Sequence, residues 1–445
     1  MNTWLKIWEP ENPVFWNSTG KQVAWRTLTI TTISLTLSFA TWFMVSAIVT
    51  RLNGIGFNFS SSQLFWLAAL PGLAAGTLRI IHTFLIPIFG SRHVISISTI
   101  IKLIPVLGLG FAVMDPNTPF WVFVVLSLTA GFGGGDFSSY MPSTNLFFPA
   151  RLKGAALGIQ AGIGNFGVSI AQFMTPMMLG VALYGAPQVL TLSNRAGESV
   201  SREIYLQSAA FWYAPLLIVV AVLCWFLLKS IPIKSSFKQQ LEIFSKKHTW
   251  YCTIIYFMTF GTFAGLSAAF PLLLKSVYGQ FDPGLDPLKY AFYGPLIGSA
   301  ARVGFGFVAD KTGGAILTTI SGIGMFIVTV LIIFFNLLEP SGIDQMGLFI
   351  ALMFLIFFFT GIGNASTFKQ FPVIFKENPI HASGVIGWTA AIGAYGPFVF
   401  SMTISAFIGA SGYATGFFWV LASFLIVATL INWYFYNRKG AEKPC

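Results

Sequence analysis

The chain has 445 residues, of which 55% are hydrophobic and only 9% are charged, and its mean hydropathy is +0.76. This composition excludes an ordinary water-soluble globular protein and is typical of a chain that crosses a membrane many times. The formal net charge of +11 would suit nucleic-acid binding, but the basic residues are distributed over separate loops and are not gathered in one domain. No nucleic-acid partner is therefore expected.

Apolar stretches of the roughly 20 residues needed to cross a bilayer recur along almost the whole chain. The N-terminal stretch MNTWLKIWEPENPVFW lacks the early apolar core of a cleaved signal peptide, so the first span, beginning near Thr27, is expected to direct insertion. We predict an all-α polytopic membrane protein with twelve spans, centred near residues 38, 73, 103, 133, 168, 220, 262, 298, 325, 358, 395 and 425.

Basic residues concentrate in the even-numbered loops and in both terminal segments, and the longest polar run, at 234–248, divides the spans six and six. This positive-inside distribution predicts a protein of the cytoplasmic (inner) membrane with both termini in the cytoplasm. The predicted parts are a cytoplasmic segment 1–26, an N-terminal bundle 27–232, a cytoplasmic linker 233–248, a C-terminal bundle 249–437 and a cytoplasmic tail 438–445.

The two halves repeat each other in sequence. GFGGGDFSSYMPSTNLFFP at 131–149 aligns with GIGNASTFKQFPVIFKENP at 361–379, and GIQAGIGNFG at 158–167 aligns with GWTAAIGAYG at 387–396. Arg79 and Arg302 also correspond, because each lies the same distance before a glycine turn, in FGSRH and DKTGG respectively. Two six-helix bundles in parallel repeat are the plan of the major facilitator superfamily, and GFVADKTGG at 306–314 resembles its loop motif. We therefore predict that fold, with two pseudo-symmetric bundles.

We single out four charged residues inside predicted spans: Arg79, Arg302, Lys369 and Asp136. A charge at the bilayer centre costs about 3 kcal/mol on insertion scales, so such residues face the protein interior and usually have a function. The alternative for the arginines is that they extend to the membrane interface. Two corresponding arginines with few acids nearby predict an anionic substrate, because the planar donor fork of arginine can engage two oxygens at once.

The helices that carry the aligned glycine segments are expected to flank the anion pathway. Small residues let helix backbones approach closely and slide, which leaves a narrow pathway that suits a small oxyanion. We predict a gating role for Gly162, Gly164, Gly167, Gly393 and Gly396, with close helix packing as the alternative.

Taken together, these segments resemble the bacterial nitrate/nitrite porters of the major facilitator superfamily, often called NarK-type. The resemblance covers nearly the full chain and includes WEPENPVFW, GFNFSSSQLFWLAALPGLAAGTLR and YAFYGPLIGSAARVGFG. It implies nitrate and nitrite as substrates of a monomer surrounded by membrane lipid. It also implies an anion site in which Arg79 and Arg302 clamp the substrate and Asn165, Tyr256, Phe137 and Phe260 line it. For Asn165 the alternative is an interhelical hydrogen bond, and for the aromatic residues it is core packing.

Asp136 and Lys369 depart from the family, in which uncharged polar residues are familiar at these positions. They lie on the fourth and tenth spans, which correspond in the repeat. An acid and a base there suggest a buried ion pair or a network with the arginines, and a purely structural bridge is the alternative.

The two arginines also bear on coupling, because guanidinium groups about 8 Å apart repel by about 2 kcal/mol at an effective dielectric near 20. An anion relieves this repulsion, so a carrier with two arginines favours exchange. If Asp136 instead reaches the arginines when the anion has left, its protonation would couple uptake to protons. We therefore favour nitrate/proton symport, with a nitrate/nitrite antiporter as the alternative and a carrier of another small or organic anion as a further one.

Other functional classes are less well supported. A membrane enzyme needs a nucleophile with its base or a metal cluster, whereas the histidines lie near span ends or in loops without ligand spacing, and the three cysteines are scattered. No enzyme activity, metal or other cofactor is expected. An anion channel could use the same arginines, but the matched repeats favour alternating access.

Overall fold

The structure is a computed structural model that describes residues 4–193, 197–231 and 241–445. Within these ranges, eleven helices are long and apolar enough to cross a membrane. One further helix, Tyr293–Thr312, is less apolar because it carries Arg302, Asp310 and Lys311. Each predicted centre falls inside one of these helices, so the twelve-span plan is confirmed.

We number the helices as spans 1 to 12 in chain order. The first half contains Pro13–Ile48, Ser61–Thr83, Ile88–Ala112, Phe120–Phe147, Arg151–Met178 and Ser208–Leu227. The second half contains Lys247–Tyr278, Tyr293–Thr312, Gly314–Phe334, Ile343–Ile374, Gly384–Ser411 and Thr415–Asn437.

Span 1 begins earlier than Thr27, the start predicted from hydropathy. Asn12 caps the helix, since its side chain accepts hydrogen bonds from the backbone N–H groups of Val14 and Phe15, and Pro13 occupies the first helical position. Both residue types favour a helix start for local reasons. The helix thus extends through much of the predicted segment 1–26. The predicted linker 233–248 falls partly on residues 232–240, which lie outside the described residues, and span 7 begins at Lys247.

The internal repeat is visible in the backbone of the two turns that follow the arginines. Gly90, between spans 2 and 3, has φ 75° and ψ 156°, and Gly313, between spans 8 and 9, has φ 86° and ψ 153°. Side chains other than glycine rarely adopt positive φ, so the same sequence requirement recurs in each half.

Four spans are interrupted near their middle in the described residues. Span 3 has a break at Lys102, between a segment that ends at Ile101 and the segment Leu103–Ala112. Span 4 consists of Phe120–Gly135 and Phe137–Phe147, which meet at Asp136. Span 11 contains the break between Pro379–Gly393 and Gly396–Ser411. Span 7 contains one π-helical segment, Phe257–Gly261, a feature that often marks functional sites.

A β-hairpin that the sequence did not lead us to expect connects spans 5 and 6. Strand β1, Gln188–Ser193, pairs antiparallel with strand β2, Ser199–Ile204, with Gln188 opposite Ile204. The hairpin packs against the turn Asn53–Ile55 that follows span 1.

The two halves meet along spans 2 and 11 and along spans 5 and 8. The Thr77 and Tyr395 hydroxyls hydrogen-bond across the first pair at 2.9 Å. On the side opposite the linker, a buried ion pair between Arg51 and Asp286 joins the halves, and the Lys275 ammonium donates to the Thr50 carbonyl. Charged contacts thus close the molecule at this end.

Candidate functional site

Arg79 lies fully buried in span 2 and contacts both halves. Its Nε donates to the Gly134 carbonyl at 2.7 Å, and its Nη1 donates to the Ala390 carbonyl of the second half at 2.6 Å. The guanidinium carbon lies 5.4, 4.7 and 5.3 Å from the ring centres of Trp42, Phe137 and Phe260. Its Nη2 has no hydrogen-bond partner among the described residues.

Arg302, on span 8, is 5% exposed and has fewer protein contacts. Its guanidinium carbon lies 4.8 Å from the ring centre of Phe368. Within the described part of the chain, neither Nη1 nor Nη2 has a hydrogen-bond partner. Since buried donors are normally bonded, these nitrogens are suited to an anion.

Aromatic rings from both halves form a wall beside the arginines. Phe137 of span 4 stacks at 6.4 Å on Phe260 and at 6.4 Å on Phe368. Tyr256 stacks on the same two rings, at 5.4 Å and 5.5 Å respectively. The structure therefore brings together the predicted Phe137, Tyr256 and Phe260 with the arginines and adds Phe368.

Two buried asparagines have amide groups without hydrogen-bond partners in the described ranges: Asn165 on span 5 and Asn364 on span 10. Asn165 was a predicted site residue, and the alternative of an interhelical hydrogen bond is not observed for it in this structure. Asn364 lies one helical turn before Phe368, so both side chains share the face of span 10 that contacts Arg302.

Asp136 pairs with Lys102 of span 3, which corrects the pairing with Lys369 suggested by the repeat. Lys102 Nζ lies 2.5 Å from Asp136 Oδ2, and the Ser38 hydroxyl donates to the same oxygen at 2.7 Å. All three side chains are buried. The pair thus lies within the first half.

Lys369 pairs with Asp310 of the GFVADKTGG motif at 2.5 Å, and both side chains are substantially exposed. The reason is depth along the helix: Lys369 aligns with Ser139, about one turn closer to the cytoplasmic end than Asp136. It lies close enough to the end of span 10 to reach Asp310 in the last turn of span 8.

Comparison with known proteins assigns the chain to a family. The Major Facilitator Superfamily model matches residues 31–396. The chain is 54% identical to a Thermus thermophilus protein named "Probable nitrate/nitrite antiporter NarK2", over 100% of this chain and 98% of that protein. It is 36% identical to "Nitrate/nitrite transporter NarU" of Escherichia coli K12, over 98% and 96% respectively. The protein belongs to the NarK-type nitrate/nitrite transporter family of the major facilitator superfamily.

A solved structure supports the fold of this NarK-type chain. A bacterial homologue of the human lysosomal transporter Spinster has a TM-score of 0.61 and 16% sequence identity, covering 91% of this chain and 95% of its own. At this identity the likeness concerns the fold alone.

The predicted gating glycines of this NarK-type protein differ in what they contact. A methyl group at Gly167 would lie 2.1 Å from the Thr36 carbonyl oxygen, and one at Gly396 would lie 2.3 Å from that of Gly261. Both contacts are made within one half. A methyl group at Gly164 would meet Leu35, also in the same half, and one at Gly393 would meet Phe260 and Tyr256. Gly162 faces Val303 of the other half, at 2.6 Å from a built methyl group.

Four residues at or beside the site of this NarK-type chain were missed from the sequence: Trp42, Phe368, Asn364 and Lys102. Asn364 was detectable, since it is a polar residue within an apolar helix and shares a helix face with Phe368. Lys102 was also detectable as a cation inside the apolar third span. For Phe368 no local signal separates it from the many other phenylalanines of the chain.

Proposed function

We propose that this protein carries nitrate and nitrite across the membrane by alternating access, with the anion held between Arg79 and Arg302. The observation that carries the proposal is the set of buried guanidinium nitrogens, Arg79 Nη2 and Arg302 Nη1 and Nη2, that have no acceptor among the described residues. A small planar oxyanion offers several acceptors in the geometry that arginine prefers.

The surroundings favour a small, flat anion. The stacked rings of Phe137, Phe260, Tyr256 and Phe368 leave apolar surfaces beside the cations, and nitrate and nitrite are weakly hydrated compared with phosphate or sulfate. The relatives named for nitrate and nitrite transport support the same substrates for this chain. Asn165 supplies an amide that can donate to or accept from the anion.

We infer that transport is an exchange of nitrate for nitrite. With no anion bound, the arginines lie close enough to repel each other electrostatically, and no carboxylate is bonded to either in the described residues. This repulsion opposes closure. The symport expected from the sequence required Asp136 to reach the arginines, but its carboxylate is bonded to Lys102 and Ser38. The antiport name of the Thermus relative agrees with exchange.

Uptake of labelled nitrate into proteoliposomes tests this function. We expect saturable uptake when nitrite or nitrate is trapped inside and almost none when the vesicles contain only buffer. Protein-free vesicles and an Arg302→Gln variant serve as controls for leakage and for the binding site. Uptake into buffer-filled vesicles without saturation would indicate a channel, which would contradict alternating access.

Nitrate/proton symport is the second candidate, and one observation favours it. Asp136 Oδ1 has no hydrogen-bond partner in the described ranges, which leaves one carboxylate oxygen available to a proton. Under this alternative an inward pH gradient drives nitrate into vesicles that contain no exchangeable anion. Asp136→Asn should then retain counterflow but lose proton-driven accumulation, and equal loss of both would indicate a binding or folding defect.

Competition by nitrite, chlorate and formate against labelled nitrate separates these substrates from another small or organic anion. Nitrite should compete about as well as nitrate, whereas formate should compete weakly because it is more strongly hydrated and has a C–H group where nitrite has a nitrogen lone pair. We further propose a monomer in the inner membrane with both termini in the cytoplasm, without chemical conversion of the anion. Protease access to terminal tags in sealed vesicles tests that orientation.

A further inference from the structure

A buried ion pair lies beside Arg79 along span 4. Gly134, whose carbonyl accepts from Arg79, and Phe137, whose ring contacts the guanidinium, flank the position of Asp136 in the sequence. Successive helical positions point about 100° apart, and the Asp136 carboxylate is bonded to Lys102 of span 3 and Ser38 of span 1. Asp136, although it lies between two residues that contact Arg79, is therefore directed into the first bundle.

Lys102 is held in place by contacts on more than one side. Its ammonium donates to the Ser98 carbonyl at 2.8 Å as well as pairing with Asp136. A layer of hydroxyls lies nearby, in which Ser34 bonds Tyr140 at 2.7 Å and Thr99 at 2.8 Å. This polar layer lies beside the pair in a region closed to solvent.

The second half has no such pair at the corresponding positions. Met325 follows Gly313 at the distance at which Lys102 follows Gly90, and Ser366 aligns with Asp136. Met325 and Ser366 are buried, and Ser366 bonds the Thr318 hydroxyl at 2.8 Å. A helix bundle of this design is therefore built without charges at these two positions, so the pair is not a requirement of the fold.

We propose that Lys102 determines the coupling mode of the transporter, because it binds the Asp136 carboxylate and keeps it turned away from Arg79. This inference rests on the proposed exchange. With Asp136 held by Lys102, the protein has no counter-anion of its own to offer the arginines and takes up no proton with the substrate. Lys102 is thus a positioning residue that acts through Asp136.

The other charged and titratable groups around Asp136 do not take the place of Lys102. Arg79 and His82 of span 2, Tyr140 of span 4 and Cys224 of span 6 are close enough to interact with it electrostatically. His82 Nδ1 is hydrogen-bonded to the Ser139 hydroxyl at 2.8 Å. Arg79 is accordingly the cation to which the Asp136 carboxylate would turn if Lys102 were removed.

Replacing Lys102 by methionine, the residue at the corresponding position of the second half, should convert the exchanger into a proton-coupled transporter. In Lys102→Met, Asp136 loses its cation, and burial then favours either protonation or a contact with Arg79. At high pH the ionised carboxylate competes with nitrate for Arg79, whereas at low pH the protonated acid leaves the arginine free. The KM for nitrate should therefore rise with pH, by up to about tenfold per pH unit above the ionisation of Asp136.

The experiment measures nitrate/nitrite counterflow between about pH 5.5 and 8, a range that lies above the pKa values of exposed carboxyl groups and includes that of exposed histidine, together with uptake driven by a pH gradient. The wild type should have a KM that hardly changes with pH and no gradient-driven uptake. Lys102→Met should acquire a pH-dependent KM and gradient-driven uptake. The double variant Lys102→Met/Asp136→Asn should lose both of these new properties. Lys311→Met, at an exposed lysine, is the matched control and should behave as the wild type.

A pH-independent KM in folded, active Lys102→Met would overturn the inference while leaving the exchange intact. Gradient-driven uptake by the wild type would overturn it as well. Absence of any nitrate exchange by the wild type would instead be a failure of the proposed function.

Because an unpaired buried charge can prevent folding, infrared difference spectra of the wild type provide a second measurement. We expect that no protonated-carboxyl band in the wild-type spectra disappears in the Asp136→Asn variant. The presence of such a band would contradict the proposal without any use of the Lys102 variant.

Discussion

The two halves place an arginine at the same point of the repeat but surround it differently. Arg79 is bonded to two backbone carbonyls and lies among three aromatic rings. Arg302 lies against one ring, and its terminal nitrogens have no protein acceptor in the described residues. Symmetry of sequence therefore does not produce symmetry of role: Arg79 is part of the contact between the halves, and Arg302 is freer to bind the anion.

The contact from Arg79 to the Ala390 carbonyl bears on transport, because it crosses from span 2 to span 11. Any movement that separates these spans breaks this hydrogen bond. An anion that contacts Arg79 can compensate for the loss, which would link substrate binding to the relative position of the halves.

The largest effect on transport is expected at Arg302, because its terminal nitrogens are freer to contact the anion than those of Arg79. Arg302→Lys replaces a planar fork by a single ammonium, and losing charge-assisted hydrogen bonds worth about 3 kcal/mol in total would raise the KM for nitrate about 100-fold. The thermal midpoint in detergent should hardly change, because Arg302 makes few protein contacts. Counterflow kinetics and a melting curve measure both quantities.

Arg79→Lys is the matched variant and should affect both quantities. The lysine retains the charge but cannot bond Gly134 and Ala390 together, so stability should fall by about 1–3 kcal/mol along with transport. Equal losses of stability in the two variants would contradict the division of roles between the halves.

The next largest effects are expected at two glycines that occupy corresponding positions in the two halves. Gly167→Ala and Gly396→Ala each place a methyl group against a backbone carbonyl, which cannot move aside as a side chain can. We expect each to lower stability by about 1–3 kcal/mol and to reduce transport. Gly158→Ala is the control, because a methyl group there meets nothing within 4 Å. Unchanged melting of Gly167→Ala would indicate that spans 1 and 5 are more adaptable than their packing indicates.

The smallest effects concern the asparagines, one in each half. Asn165→Leu and Asn364→Leu should raise the KM for nitrate about five- to tenfold, the value of roughly one hydrogen bond. Stability should be unchanged or higher, since neither amide is bonded to a described residue.

Gln172→Leu provides the contrast on span 5, because the Gln172 amide donates to the Ser267 carbonyl of the other half at 2.7 Å. This variant should lose stability. A loss of stability in Asn165→Leu as large as that in Gln172→Leu would assign Asn165 to helix packing.

Much of the architecture follows from local features of the sequence. Apolar length predicts the helices, because an uninterrupted apolar segment must satisfy its backbone hydrogen bonds internally in a membrane. The repeated glycine turns at Gly90 and Gly313 and the corresponding arginines predict two related bundles, and Asn12 with Pro13 encodes the early start of span 1. The arginines were predicted as an anion site from the repeat, and the aromatic residues Phe137, Tyr256 and Phe260 were predicted through the resemblance to the nitrate/nitrite porters.

Only the tertiary structure decided which buried groups meet. Asp136 and Lys369 correspond in span number but differ in depth and in rotation about the helix axis, so one bonds Lys102 and the other Asp310. Phe368 and Asn364 join the site because the packing of span 10 turns their face toward Arg302. Composition determines that a helix lies in the membrane, whereas the partner of each charge depends on helix rotation and depth, which are set by contacts between residues far apart in the chain.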